Sequence, residues 1–190
     1  MRLGRNKALE KIGGKSLLER VILNLESRAN EILVVSAAGI LLPEIKTNKT
    51  IRFIKDVRPG KGPLVGIYSG LLASCELNNL VVACDMPFLN GRLLDYIISQ
   101  VEDNDIVIPK LNSMVEPLHA VYSKRCIPSI EEMLDCGDFK VNGLLKRVIV
   151  RYICNDEINR FDPEHLSFFN INTRADFKKA DRLAQKNSRI

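Results

Sequence analysis

Residues 81–88 read VVACDMPF, and this stretch decides the fold. An apolar run that begins at Leu80 stops on the carboxylate of Asp85, and Pro87 follows two residues later. A short run of apolar, β-branched residues is typical of a strand that is buried on both faces. Proline cannot donate a hydrogen bond to a central ladder, so the strand has to end before Pro87. Ligands of open parallel sheets bind where the strands end, which makes Asp85 a candidate site residue.

Short apolar segments alternate with helical patterns on both sides of this stretch. The predicted strands are residues 31–36, 50–54, 80–85, 105–109, 118–123 and 148–153. The predicted helices are residues 17–27, 66–77, 90–102, 128–135 and 173–186, and Ser16 or the pair Gly13–Gly14 could open the first of them. This alternation predicts an α/β fold whose mostly parallel sheet is covered by helices on both faces. The sequence has no repeat, low-complexity tract or linker, so we predict a single domain over residues 1–190.

The composition excludes several classes of protein. Apolar residues make up 46% of the chain, which argues against wholesale disorder. No apolar run approaches the roughly 20 residues of a membrane span, and the basic N-terminus lacks the apolar stretch of a secretory signal. The five cysteines are widely spaced and include no CxxC, which favours buried thiols in a cytoplasmic protein over a disulfide framework or a zinc site. The net charge of +5 suits either a phosphorylated ligand or a solvated basic face, and the absence of Trp disfavours nucleic-acid binding.

A loop rich in glycine and proline follows the second predicted strand. Residues 56–66 read DVRPGKGPLVG, in which Asp56 ends the strand and Arg58 and Lys61 supply positive charge. Glycine lets backbone N–H groups approach a ligand closely, and proline stiffens the loop. The segment matches neither GxxxxGK[ST] nor GxGxxG, so these two phosphate-binding motifs are excluded here. It is either another kind of ligand-binding loop or a surface turn.

Two further side chains suit a nucleotide bound at the edge of the sheet. A carboxylate at the position of Asp85 could hold a hard cation such as magnesium beside a phosphate. Lys7, which follows a short polar segment, could supply a point charge to a triphosphate. The residues alone leave two alternatives open, a turn or cap residue for Asp85 and a solvated lysine for Lys7.

Five segments together resemble one enzyme family. They are RLGRNKALEKIGGKSLLERV (2–21), DVRPGKGPLVGIYSGL (56–71), VVACDMPFL (81–89), EPLHAVYSK (116–124) and FFNINTRADF (168–177). In this order they resemble the nucleotidyltransferases, and among these the molybdenum cofactor guanylyltransferases. The resemblance implies a Rossmann-like three-layer nucleotidyltransferase fold, Mg²⁺, and GTP and molybdopterin as substrates, with molybdoenzyme chaperones as further partners. The implied reaction joins GMP to the terminal phosphate of molybdopterin and releases pyrophosphate.

The resemblance also implies roles for individual residues. Lys7 matches the phosphate-binding lysine of the family, and Asp85 matches the ligand of the magnesium ion. Asp56 matches the acid that contacts the guanosine. Asn172 matches a polar group beside the metal, and His119 lies in a segment that faces the acceptor, although a histidine of the core or of a strand edge is the alternative. Because the attacking group is already an anionic phosphate, the reaction needs alignment and charge neutralisation rather than a strong general base.

The sequence departs from the family pattern in two places. The family has a buried strand and an AGG-type glycine loop ahead of its RLG segment, whereas here Met1 stands directly before Arg2. We therefore expect that the first strand and its loop are missing or that the start codon is assigned too late. Ala38 replaces an asparagine with which some members contact the nucleotide, so guanine selection is less secure. The alternatives are a cytidylyl- or sugar nucleotidyltransferase of the same fold and a non-catalytic remnant.

Overall fold

The computed structural model describes residues 7–36, 45, 47–58 and 60–187. Its strands are β1 (Lys11–Ile12), β2 (Lys15–Ser16), β3 (Glu31–Ser36), β4 (Thr50–Lys55), β5 (Asn78–Val82), β6 (Ile106–Leu111), β7 (Met114–Val115), β8 (His119–Ser123) and β9 (Val150–Ile153). Its helices are α1 (Leu17–Leu25), α2 (Pro63–Ala73), α3 (Gly91–Ser99), α4 (Ile127–Asp135), α5 (Val141–Leu144), α6 (Asn155–Asn159) and α7 (Arg174–Asn187). Short 3₁₀ turns lie at Lys7–Leu9, Lys124–Cys126 and Leu166–Phe168.

The main strands form a parallel pair and a larger mixed sheet. β3 and β4 are parallel, with Glu31 opposite Thr50. In the larger sheet β8 lies between β5 and β6, and both β7 and β9 pair with β6. Since β5 and β6 both run antiparallel to β8, and β9 is parallel to β6, the strands β5, β6 and β9 all point the same way. The prediction of an α/β fold with parallel strands is confirmed. Strand β8 departs from this pattern, because it runs antiparallel to β5 and β6 on either side of it.

Helices cover the larger sheet on both faces. Ile106 and Ile108 of β6 belong to the apolar cluster formed with α2 and α4, whereas Val107 between them belongs to the cluster formed with α3 and α6. This alternation follows from the strand geometry, in which successive side chains point to opposite faces. The result is a three-layer arrangement. Within the described ranges, no helix has the length and apolarity needed to cross a membrane.

A small hairpin precedes the first long helix. Gly13 and Gly14 have φ of 55° and 84° and form the two-residue turn between β1 and β2, where positive φ favours glycine. Ser16 is the N-cap of α1, and its side chain and that of Glu19 form a reciprocal capping box. Of the two predicted helix-start signals, Ser16 therefore begins the helix, and the glycine pair makes the preceding turn.

Two predicted boundaries were wrong in ways that matter for the site. Strand β5 ends at Val82 rather than continuing to Asp85, because the chain turns and the Met86 amide contacts the carbonyl of Ala83 at 3.4 Å. Helix α2 begins at Pro63, three residues before its predicted start, since proline fits the first helical position, where no intrahelical N–H donor is needed. Strand β5 thus ends earlier and helix α2 begins earlier than predicted, and the order of the elements is unchanged.

Candidate functional site

Three predicted site residues meet beyond the end of β5. The Lys7 ammonium donates a hydrogen bond of 2.7 Å to Oδ1 of Asn172. The same nitrogen lies 3.7 Å from Oδ2 of Asp85, at ion-pair distance. The side chains of Lys7 and Asp85 are 31% and 20% exposed, so both remain accessible to a ligand. A cation, a carboxylate and an amide that are distant in the sequence thus share one place at the edge of the sheet.

Backbone contacts position this trio. The Ile171 amide donates to the carbonyl of Asp85 at 3.0 Å, which ties the segment before α7 to the segment after β5. The Asp176 carboxylate accepts hydrogen bonds from the amides of Asn172 and Thr173 at 3.1 and 2.8 Å. It also accepts from the Thr173 hydroxyl at 2.8 Å, and these bonds lower the pKa of Asp176 below its ordinary value. Asn172 is therefore presented by a well-bonded turn at the start of α7.

Packing at the other end of α7 holds Lys7 in reach. Ile12 and Leu17, which follow Lys7 in the chain, pack with Ile171 and with the small α7 residues Ala180 and Ala184. All five side chains are buried. The N-terminal hairpin and the C-terminal helix therefore form one apolar cluster, and this cluster brings residues 165 positions apart into hydrogen-bonding distance.

A second network braces the segment after Asp85. The Asn90 amide donates to the Ser167 hydroxyl at 2.8 Å, and the Asn90 side chain donates to the carbonyl of Phe161 at 2.7 Å. Behind them, the buried Asp162 carboxylate accepts from the Ser167 amide at 2.8 Å. Hydrogen bonds to a buried carboxylate are among the stronger ones in proteins, so this network fixes the loop between β5 and α3.

Asp56 lies in a separate arrangement at the end of β4. Its carboxylate accepts from the Ser69 hydroxyl of α2 at 3.2 Å and from the Arg58 amide at 3.3 Å. The Ser69 hydroxyl also accepts from the Val57 amide at 3.1 Å. Asp56 thus immediately follows its strand, as predicted, and its half-buried side chain closes the turn into the glycine-rich loop.

The two cations of the glycine-rich loop have protein partners. The Arg58 guanidinium donates to the carbonyl of Leu134 at 3.2 Å and lies 3.6 Å from the Asp135 carboxylate of α4. The Lys61 ammonium lies 5.3 Å from the centroid of the Phe139 ring. Gly62, with φ of 96°, occupies the N-cap position of α2, where no side chain accepts a hydrogen bond from the first backbone amides of the helix. The loop is therefore held against α4 on one side and leaves the start of α2 uncapped by a side chain.

Comparison with known proteins identifies the family. The sequence profile of the MobA-like NTP transferase domain matches residues 1–152. The chain belongs to the MobA-like NTP transferase family. A probable molybdenum cofactor guanylyltransferase of Pelotomaculum thermopropionicum is 35% identical over 188 residues, which cover 99% of this chain and 89% of that protein. The molybdenum cofactor guanylyltransferase of Desulfosudis oleivorans is 33% identical over 179 residues, covering 94% and 87% of the two chains.

A solved structure agrees with this assignment. The chain resembles the molybdopterin-guanine dinucleotide biosynthesis protein A of Archaeoglobus fulgidus with a TM-score of 0.78 and 28% sequence identity, over 97% of this chain and 93% of that one. The predicted nucleotidyltransferase fold and the predicted family are therefore confirmed. The chain is a nucleotidyltransferase of the MobA-like family.

His119 occupies a different environment from the other predicted site residues of this MobA-like transferase. It is the first residue of β8, its side chain is completely buried, and its ring lies 4.9 Å from the ring of Phe168. Neither ring nitrogen has a hydrogen-bond partner among the described residues, and burial lowers the pKa of His119 to about 4. This position favours the alternative of a core histidine, and contact with an acceptor stays a prediction.

Several expectations fall outside the described residues. Residues 1–6 and 37–44 are among the undescribed positions, so the missing first strand, its glycine loop and the substitution at Ala38 stay predictions. Pro59 of the glycine-rich loop also lies outside the described ranges.

Sequence reasoning missed one residue that shapes the site. Asp176 holds the backbone of Asn172 and Thr173, yet the resemblance assigns it no role beyond its place in the FFNINTRADF segment. The signal was present, because a Thr followed three residues later by an acid is the spacing of a capping box. The Asp176 amide in turn donates to the Thr173 hydroxyl at 3.1 Å, which completes that motif.

Proposed function

We propose that this chain transfers GMP from GTP to the terminal phosphate of molybdopterin, forming the guanine dinucleotide form of the cofactor and pyrophosphate. The observation that carries the proposal is the meeting of Lys7, Asp85 and Asn172 beyond the end of β5. The relatives suggest the substrates, since the two described above are named as molybdenum cofactor guanylyltransferases, one of them as a probable one. The fold supports the same site, because ligands of open α/β sheets bind at the carboxyl ends of the strands.

The donor set fits a divalent cation that is shared with the substrate. Among the described residues there is no group of three or more His, Cys, Asp or Glu side chains that could hold a metal ion by themselves. Magnesium suits such a site, because it commonly binds one or two carboxylates, several waters and the phosphates of a nucleotide. We propose that Asp85 is its protein ligand. The ion would neutralise phosphate charge and polarise the α-phosphate.

The residues of the chain would then act by positioning and by charge. An oxygen of the acceptor phosphate attacks the α-phosphorus of GTP, a new P–O bond forms, and the bond to the pyrophosphate oxygen breaks. Lys7 would place its ammonium beside the phosphate oxygens on which negative charge develops. In the described structure this ammonium is held between Asp85 and Asn172, so its location is set before a ligand arrives. Such preorganisation lowers the cost of reorganisation during the reaction.

We further propose that Asp56 contacts the guanosine from the end of β4. Its carboxylate is half-buried, and Ser69 and Arg58 hold its Oδ1 atom. Each carboxylate oxygen has more than one acceptor site, so these two bonds leave acceptor capacity for the N–H groups of a guanine. A cytoplasmic location and delivery of molybdopterin by molybdoenzyme chaperones stay predictions.

A nucleotide panel tests the proposed function. Purified protein is incubated with molybdopterin, Mg²⁺ and one of GTP, CTP or ATP, and pyrophosphate release is measured. We expect release with GTP that depends on molybdopterin, and little release with the other two nucleotides. Equal or better use of CTP would favour a cytidylyltransferase, and no turnover with any nucleotide would favour a non-catalytic chain.

A further inference from the structure

Ser69 is a buried polar residue in the middle of α2. It is 2% exposed, and the helix packs against β3 and β4. The other buried residues of the helix are apolar, namely Leu64, Val65, Ile67 and Leu71. A hydroxyl that is removed from water costs free energy unless it is hydrogen-bonded. The partners of Ser69 therefore show which part of the fold requires a hydroxyl at this position.

The Ser69 hydroxyl joins α2 to the chain that leaves β4. Its oxygen accepts a hydrogen bond from the Val57 amide at 3.1 Å. Its single hydrogen lies between two acceptors, the carbonyl of Val65 at 2.9 Å from Oγ and Oδ1 of Asp56 at 3.2 Å. The bond to Val65 stays within the helix and is common for serine. The bonds to Val57 and Asp56 cross between elements, so the hydroxyl holds the end of β4 against the helix.

These contacts fill one of the two carboxylate oxygens of Asp56. Oδ1 accepts from the Ser69 hydroxyl at 3.2 Å and from the Arg58 amide at 3.3 Å. An ionised carboxylate has about four acceptor positions, two on each oxygen, so Oδ1 is fully used. Oδ2 has no hydrogen-bond partner among the residues that the structure describes. Donors from the helix on one side and from the loop backbone on the other therefore fix the half-buried carboxylate and leave Oδ2 to a ligand.

We propose that Ser69 is a positioning residue for nucleotide selection, which holds the Asp56 carboxylate so that only Oδ2 faces the base. The proposal rests on the proposed function, in which Asp56 contacts guanosine. Guanine presents two adjacent donors, N1–H and the 2-amino group, and Oδ2 has two acceptor positions for them. Cytosine and adenine present a ring-nitrogen acceptor beside their amino group, and this acceptor is repelled by a carboxylate oxygen. A carboxylate that is already fixed also loses less conformational freedom when the nucleotide binds.

Ser69→Ala and a matched serine variant test the effect on nucleotide affinity. Ser69→Ala removes the hydroxyl without weakening the helix, because alanine has the highest helix propensity. We expect the Kd for GTP to rise roughly fivefold to tenfold, which corresponds to the loss of one net hydrogen bond, while kcat changes less than about twofold. The preference for GTP over ITP, which lacks the 2-amino group, should fall by a similar factor. Ser74→Ala is the control and should keep the wild-type affinity and preference, because Ser74 is also buried at the end of α2 and its hydroxyl accepts from the Glu76 amide at 3.1 Å.

A double-mutant cycle tests whether Ser69 acts through Asp56. The Kd for GTP with a fluorescent label on its ribose is measured by anisotropy, with Mg²⁺, for the wild type, Ser69→Ala, Asp56→Ala and the double variant. Ser69→Ala should weaken binding in the wild-type background and change it less than about twofold in the Asp56→Ala background, because the carboxylate that it positions is absent there. An unchanged affinity in Ser69→Ala, or the same factor in both backgrounds, would overturn the inference. Thermal melting establishes that each protein is folded, and Ser69→Cys, with its weaker hydrogen-bonding group, replaces Ser69→Ala if that variant is unfolded.

The binding assay contains no molybdopterin, so this inference and the proposed function can fail separately. Guanine-selective binding that depends on Ser69, in a protein that transfers no GMP, would support the inference and contradict only the proposed function. Transfer of GMP by a protein whose GTP affinity and preference over ITP do not depend on Ser69 would contradict only the inference. Preferential binding of CTP by the wild type, or no nucleotide binding at all, would overturn both.

Discussion

Replacing Asp85 with asparagine separates a catalytic contribution from a structural one. The substitution keeps the shape of the side chain and an oxygen that can accept from Lys7, and the backbone carbonyl that binds Ile171 is unchanged. The pair of Lys7 and Asp85 is partly exposed, and its charged atoms are 3.7 Å apart. Such pairs contribute about 0–1 kcal/mol to folding, so we expect the melting temperature to fall by no more than about 4 °C.

The expected effect on the reaction is much larger. Loss of the charged contact to the proposed magnesium ion should raise the activation free energy by at least about 3 kcal/mol, which lowers the rate about a hundredfold. The measurements are pyrophosphate release with GTP, Mg²⁺ and molybdopterin, together with thermal melting of the same samples. Asp95→Asn is the matched control, because Asp95 forms an ion pair of 2.7 Å with Arg28 on another part of the surface. Near-normal turnover and magnesium dependence in Asp85→Asn would refute this reasoning, and so would a loss of rate that merely follows a large loss of stability.

Three further predictions concern the neighbouring residues. Asn172→Ala removes the hydrogen-bond partner of Lys7, and turnover should fall roughly tenfold with an unchanged melting temperature, because one exposed contact is lost; unchanged turnover would contradict a role for this pair. Asp56→Asn should raise the KM for GTP roughly tenfold and leave the KM for molybdopterin unchanged, since the charged acceptor proposed for guanosine is lost. A steady-state assay in which both KM values rise by the same factor, or neither rises, would contradict the assignment. Burial lowers the pKa of His119 to about 4 from an ordinary 6.5. As the pH falls, the unfolded chain therefore binds a proton at this histidine before the folded chain does. The free energy of unfolding decreases as a result between pH 6.5 and pH 4. This decrease reaches about 3 kcal/mol at pH 4. Denaturant titrations between pH 6.5 and pH 4 should show it in the wild type and not in His119→Leu. An equal pH dependence of the free energy of unfolding in the two proteins would refute this prediction.

The fold could be predicted from local patterns because its strands and helices carry clear periodicities. The run EILVVS and the alternation in TIRFI predicted β3 and β4, and Leu17, Val21 and Leu25 mark the buried face of α1. Strand direction was harder to predict, because β8 is buried on both faces, as expected for a parallel strand, yet it is antiparallel to both of its neighbours. Burial on both faces determines the composition of a strand, and direction follows from connections that composition does not encode.

The part of the site that depends on local sequence, the position of Asp85 after its strand, could be predicted. Asp85 could be placed near the end of its strand because an apolar run precedes it and Pro87 sets a limit to that run, although the strand ends earlier, at Val82. Its proximity to Asn172 depends instead on the cluster between the hairpin and α7, which joins the two ends of the described chain. No spacing rule predicts a contact between residues 165 positions apart. His119 shows the opposite difficulty. A histidine in this segment left both an acceptor contact and a core position open, and the structure buries its ring against Phe168. Burial of this kind depends on long-range packing and cannot be read from a single segment.

Transfer of label from GTP tests the central claim most directly. The protein is incubated with Mg²⁺, molybdopterin and GTP that is radiolabelled at either the α- or the γ-phosphate, and the pterin product is separated and counted. The account predicts that the α label enters the pterin product in a one-to-one ratio with released pyrophosphate, that the γ label appears only in pyrophosphate, and that Asp85→Asn reduces both signals together. Incorporation of the γ label into the pterin, or pyrophosphate release without any labelled pterin, would contradict guanylyl transfer at this site.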